Sequence, residues 1–317
     1  MTSHIAGVTL FDPQEGLTVR APEGSGPGWW AGAPGVLWDE EAARFYLYYR
    51  LRQPRPGRGY ECRLAESEDG VQFRDLWAAR KEEFPTLSME RAALVKVPGG
   101  PYRLYVGLVD ADGRWGIDLV EAEHPRLFRV DRRRPVLRAP ALGLEGVKDP
   151  WIRRRGGQWW MWCSYAPRPA KQVSAQEMHG SGDVYDTGLT KSHSGLAVSN
   201  DGVEWEWRGD VLSPGQGWEA YCARISCAIE SGGAWLALYD GSASVAENYE
   251  ERTGLAVSSD GVHFASASES GPLLVSPHGR GSLRYLDLVE REGWRVFYYE
   301  YCLADGSHEL RVSQVKR

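Results

Sequence analysis

The sequence predicts an all-β fold, a five-bladed β-propeller with four antiparallel strands per blade, on three observations. The first is a hairpin that recurs five times, its second strand marked by Phe45, Tyr102, Trp159, Trp235 and Trp294. These markers lie 57, 57, 76 and 59 residues apart, and an even repeat of this length with little helical patterning is the mark of stacked blades. The second is a phrase repeated downstream of the hairpin: LAESEDGVQF (64–73), LAVSNDGVEW (196–205) and LAVSSDGVHF (255–264). Each joins an apolar strand to another strand through Asp-Gly, whose glycine supplies the positive φ of a tight hairpin. The third lies at the two ends of the chain. The fifth copy runs out after LRVSQVKR, and an N-terminal segment, VTLFDP (8–13) or LTVRAP (17–22), has the alternation of the missing outer strand. Donated to the last blade, it closes the ring and removes the open sheet edge.

Taken in order, the first blade opens its inner strand at about 34–38 and continues into RFYLYYR. The second blade carries PYRLYVG and a degenerate outer turn in LVEAEHPRLF (119–128). The third contains the plainest hairpin, GVKDPWIRRRGGQWWMWCSY (146–165). Its Gly156-Gly157 turn joins two apolar runs, and Pro150, lacking a backbone donor, belongs at the start of its strand. The long gap before the fourth blade reflects a polar insertion between Ala166 and Ser192, rich in Gly, Ser and Pro and therefore a loop. The even repeat argues for a single domain over 1–317.

Fourteen Trp and fifteen Tyr are many, and blades covered on both faces by neighbours account for most of them. A net charge of −6 argues against nucleic acid or an acidic membrane surface as partner. Arg132-Arg133-Arg134 and Arg153-Arg154-Arg155 read as solvated edge charges. Five scattered cysteines give neither a zinc spacing nor a disulfide framework. No signal peptide and no apolar run of membrane length are visible, so a reduced, cytoplasmic protein is expected. Nothing in the sequence fixes an oligomeric state.

Blade geometry decides which residues meet. The starts of the inner strands and the loops between second and third strands converge on one mouth. Those loops are 50–60, 108–115, 166–192, 241–253 and 300–307, which include the longest in the chain. At the strand starts stand Glu90-Arg91, Lys148-Asp149, Glu219 with Tyr221 and Arg224, and Arg284-Tyr285, while the first blade offers Trp29 and Trp30. The loops add Asp240, Asn248, Glu250, Glu251, Arg252, Glu300, His308 and Glu309. Carboxyl groups crowded into a poorly solvated channel push their pKa values apart, so that one serves as acid and another as base. As plain ion pairs, Glu219 would instead meet Arg224 and Glu90 would meet Arg91. His179 and His193 flank the insertion, where solvent exposure is expected.

Through its five repeats the whole chain resembles the five-bladed propeller glycosidases: family-43 arabinanases and β-xylosidases, invertase-like enzymes and mannoside phosphorylase relatives. Lys148-Asp149-Pro150 looks like their strand-opening Asp-Pro motif, and the S-x-D-G-V-x-F/W phrases are similar to theirs. The first blade, opening with AGAPGVLW, lacks the Asp that family-43 members bring from that place, so the blade register is displaced. The resemblance implies a glycoside hydrolase acting on a small carbohydrate, with Asp149 as base or nucleophile; Glu219 as acid and Glu90 as third carboxylate are assigned by their positions at strand mouths. Trp29, Trp30 and Tyr221 would stack on sugar, Arg224 and Arg284 would grip hydroxyls, and Arg91, Asp240, Glu251, Arg252, Tyr285, Glu300 and His308 would complete the pocket. The chemistry needs no metal and no cofactor. An inverting phosphorylase is the alternative if Arg91, Arg224, Arg252 and Arg284 converge on a phosphate, and a non-catalytic sugar-binding propeller is the third reading.

Overall fold

The computed structural model describes residues 4–5 and 8–317. The chain is built from four-stranded antiparallel sheets, each formed by consecutive strands. The first takes Trp30–Asp39, Arg44–Gln53, Arg58–Ser67 and Arg74–Arg80. The second takes Met89–Lys96, Tyr102–Val109, Trp115–Ala122 and Arg134–Arg138. The third takes Gly146–Arg155, Gln158–Ala166, His193–Ser199 and Glu206–Leu212. The fourth takes Cys222–Ser231, Ala234–Ser242, Arg252–Ser258 and the short Ala265–Ser266. In the fifth, Leu283–Arg291, Trp294–Cys302 and His308–Lys316 are followed by Leu17–Arg20, which pairs antiparallel with the last of them. Of the two N-terminal candidates, 17–22 is therefore the donated strand; Val8–Thr9 pairs with His4–Ile5. A single parallel pair, His308 with Trp30, joins the fifth sheet to the first.

The innermost strands touch in cyclic order, first with second and so on to the fifth, which touches the first. The apolar cores lie between the sheets. Tyr48, Leu64, Leu104 and Val106 pack first against second, and Tyr105, Ile117, Val147 and Trp159 second against third. Trp162, Trp235, Leu238, Leu288 and Phe297 join third, fourth and fifth, and Ala31, Leu47, Tyr298 and Val312 pack fifth against first. The aromatic richness thus serves sheet-to-sheet packing, as expected. Arg153, Arg154 and Arg155 lie over Trp151, Trp159 and Trp160 respectively, while Arg133 and Arg134 pair with Asp118 and Glu121.

The repeated S-x-D-G phrases form six-residue loops in the first, third and fourth sheets, longer than the tight hairpin expected. In each, the serine hydroxyl donates to the aspartate and accepts from the glycine N–H, and the aspartate (Asp69, Asp201, Asp260) accepts from the two backbone amides that follow the glycine. The glycine carbonyl then accepts a hydrogen bond from an aromatic of the preceding sheet: Gly70 from Tyr298, Gly202 from Tyr105, Gly261 from Trp162. Local turn and sheet-to-sheet contact are one device.

Candidate active site

Every innermost strand carries a bulge near its start, where two residues oppose one on the second strand. The residues opening these bulges are Ala33, Glu90, Asp149, Ile225 and Tyr285, so Glu90 and Asp149 hold the same position in neighbouring sheets. Ala33, Asp149 and Tyr285 adopt φ of 52°, 55° and 54°, a left-handed conformation tolerated by Asp and strained for Ala and Tyr. Such strain persists only where the surroundings enforce it. Here the enforcing contacts are polar: Ala33 N–H donates to Glu300 at 3.1 Å, and Tyr285 N–H donates to Asp240 at 3.1 Å. Before Ala33 stands Gly32, where a Cβ would run into the Glu300 carboxylate.

Around these bulges lies a buried network of alternating charge. Glu90 meets Arg52 at 3.1 Å and Arg50 at 3.4 Å, and accepts from the Tyr285 hydroxyl at 3.2 Å. Glu300 takes two bonds from Arg284, one from Arg50 at 3.0 Å and one from His308 Nδ1 at 2.9 Å. Glu251 accepts from Arg284 at 2.6 Å, and Asp240 from Arg224 at 2.8 Å. Burial alone would raise the pKa of Glu90, but Arg50, Lys148, Arg52 and Arg284 outweigh it and hold Glu90 at about 2. Glu251 is likewise at about 2, its burial overcome by Arg224 and Arg284. Asp240 goes the other way, raised by burial against the pull of Arg224.

Asp149 is different. It is 1% exposed, lies 3.3 Å from Lys148 Nζ and 3.4 Å from Arg224 Nη1, and neither of its oxygens makes a hydrogen bond. Trp30 Nε1 and Arg50 Nε and Nη1 are also buried without a hydrogen-bond acceptor. The Trp30 ring faces the guanidinium groups of Arg52 and Arg284 at 4.6 and 4.7 Å. Tyr285 lies under Arg224 at 4.3 Å, with its hydroxyl on Glu90.

Three loops meet over this mouth. The Tyr249 hydroxyl, from the loop after the fourth sheet's second strand, donates to Asp183 and Asp186 of the insertion. Asp183 also accepts from Trp115 Nε1 at 3.1 Å and Arg58 at 3.2 Å, and Arg55 pairs with Asp186. Arg52 lies 4.3 Å from the Tyr249 ring and forms the layer beneath. The insertion is thus no plain loop: Ser174 and Glu177 cap a short helix, Ala175–His179, and Asp183, Val184 and Tyr185 are buried. His179, expected in solvent, is 4% exposed and hydrogen-bonded to Glu145.

Several sequence-predicted residues stand elsewhere. Glu219, in a short 3-10 turn, is bonded to the Tyr239 and Ser266 hydroxyls, turned toward the outer part of the fourth sheet. It does not pair with Arg224, nor Glu90 with Arg91. Arg91 instead reaches the carbonyls of Pro34 and Ser226 and lies 3.5 Å from Asp287. There it lines a cavity of about 450 Å³ bounded by all five innermost strands. Arg252 pairs with Glu247. Tyr221, expected to stack on sugar, donates its hydroxyl to the Tyr185 carbonyl and braces the insertion. Trp29 is half-buried against Gly24. Arg50, Arg52, Asp183 and Tyr249 were missed; the inward alternation of Arg50 and Arg52 in RLR is the signal that offers the first two.

In sequence, no family model and no curated protein matches the chain. In structure it is similar to a β-1,2-mannobiose phosphorylase from Listeria innocua, with TM-score 0.60 and 15% identity over 94% of this chain and 92% of that one. It is also similar to a thermostable family-43 glycoside hydrolase (TM-score 0.62, 16% identity, 95% and 92% covered). A third is a GH32 β-fructofuranosidase from Bombyx mori (TM-score 0.67, 15% identity, 92% and 62% covered). The shared property is the fold. The resemblance expected from the repeats is borne out at that level. Among the described residues no helix is long and apolar enough to cross a membrane.

Proposed function

We propose that this chain is a glycoside hydrolase: one five-bladed propeller over 1–317, closed by its N-terminal strand, that cleaves a glycosidic bond of a small carbohydrate at the mouth. The observation that carries the reading is Asp149, a carboxyl in a left-handed bulge, almost fully buried, with both oxygens free of hydrogen bonds. Buried polar groups left unbonded in a convergent charged network call for a ligand. The nearby unbonded donors of Trp30 and Arg50 suit sugar hydroxyls.

In this reading Asp149 activates water or attacks the anomeric carbon. Glu90, ionised at neutral pH, stabilises the positive charge that develops there. The leaving oxygen takes its proton from water, because Glu219, held by the Tyr239 and Ser266 hydroxyls toward the outer part of the fourth sheet, is not placed to give it. Carboxyl groups about 5 to 5.5 Å apart give retention, and roughly 6.5 to 9.5 Å gives inversion. The phosphorylase alternative asked four arginines to converge. Arg224 and Arg284 do meet at Glu251, whereas Arg91 and Arg252 are engaged elsewhere, which supports hydrolysis.

The test is turnover of a panel of aryl glycosides with and without phosphate. We expect phosphate-independent release, reduced about a thousandfold or more by Asp149→Asn. Strict phosphate dependence, or an Asp149→Asn variant as active as the parent, overturns the proposal; sugar binding without turnover favours the non-catalytic reading.

A further inference from the structure

We propose that Glu250, Cys302 and His308 form a binding site for one zinc-class divalent cation at the rim of the mouth. Their donor atoms all lie within 4.8 Å of one another, with Glu250 Oε1 3.8 Å from His308 Nε2. Cys302 ends the second strand of the fifth sheet and His308 begins the third, and the two are paired across the ladder. Glu250 comes in from the loop of the fourth sheet. No sequence spacing announces this trio, because a hairpin register and a neighbouring sheet assemble it.

The decisive atom is His308 Nε2. The imidazole is fully buried, yet this nitrogen makes no hydrogen bond. On its other side Nδ1 is 2.9 Å from Glu300 Oε1. A carboxylate accepts at Nδ1, which leaves Nε2 facing Glu250, and in the neutral ring with its proton on Nδ1 that nitrogen offers its lone pair. A carboxylate behind a histidine is the arrangement that orients imidazole ligands in metal sites. Trp30, stacked on the ring at 4.8 Å and 17°, fixes its plane.

The donor set chooses the ion. Thiolate, imidazole and carboxylate suit zinc and its neighbours, whereas calcium and magnesium take oxygen ligands. Metal bonds of about 2.0 to 2.3 Å need the donors to draw together by about 1 Å. Glu250, in a loop with its side chain 24% exposed, is placed to make that movement. A thiolate and a carboxylate balance the two positive charges. Three protein donors leave a fourth position for water or a hydroxyl.

The experiment titrates chelator-treated full-length protein with Co²⁺ alone. We expect one equivalent to bind, with a near-ultraviolet thiolate-to-cobalt band and visible bands of a tetrahedral centre, both bleached by Zn²⁺. Cys302→Ser should lose the thiolate band, while Cys163→Ala, altering a buried cysteine of the third sheet, should keep it. Glu250→Gln, a loop change that leaves the thermal midpoint of the metal-free protein in place, should weaken Zn²⁺ binding about tenfold or more. Absence of stoichiometric binding, a thiolate band that survives Cys302→Ser, or unchanged affinity in Glu250→Gln overturns the site. None of these readouts depends on glycoside turnover.

Discussion

Gly70 shows how much one residue carries. Its φ of 74° is a conformation that L side chains rarely adopt, and an added Cβ would stand 2.9 Å from the Tyr298 hydroxyl that bonds its carbonyl. Gly70→Ala therefore strains the backbone and disturbs a contact between two sheets at once. A loss of about 1–3 kcal/mol is expected, read as a lower urea midpoint with unchanged slope. This glycine was legible as a turn residue because Asp-Gly between apolar runs has a local cause. Its hydrogen bond to Tyr298 was not, since a partner 228 residues away leaves no trace in a short window. The same contrast holds in the site. Asp149 stood out through Asp-Pro at a strand opening. Glu219, assigned by analogy and position, proved to be held by Tyr239 and Ser266, because a residue just before a strand can turn to either side of it.

At the scale of elements, the loops over the mouth are the informative case. Their position followed from blade geometry, and the 166–192 insertion was visible as a break in an even repeat. Their content was not visible: polar, glycine-rich sequence reads as solvent-exposed loop, yet Asp183 and Tyr185 are buried by partners from three other segments. Tyr249 is the clasp, joining its own loop to the insertion through Asp183 and Asp186. Tyr249→Phe keeps the ring over Arg52 and removes both bonds. We expect about 1–3 kcal/mol of local stability to be lost, seen as faster amide exchange across 183–190 while the strands keep their protection.

At the scale of the whole molecule, the charged network ties stability to pH. Glu90 falls from an ordinary value of 4.5 to about 2 in the folded chain, so between these values the unfolded state binds more protons. Its contribution is present above about pH 5 and is lost as pH falls toward 2, a span worth about 3 kcal/mol. Urea midpoints at pH 5 and pH 3 should therefore differ, and Glu90→Gln should narrow that difference while lowering the midpoint at pH 5, since Arg50 and Arg52 lose their partner. The five sheets themselves were legible throughout, because each repeat satisfies its own backbone and repetition survives local irregularity.

The seam formed by Leu17–Arg20 and His308–Lys316 also sets a timetable. Thr18 meets Glu309, a partner made 291 residues later. At about 5 to 20 residues per second, a nascent chain waits roughly 15 to 60 s between producing one lip of the seam and the other. Throughout that interval the first-made strand has no strand to pair with, which makes it a segment that a ribosome-associated chaperone has reason to shield.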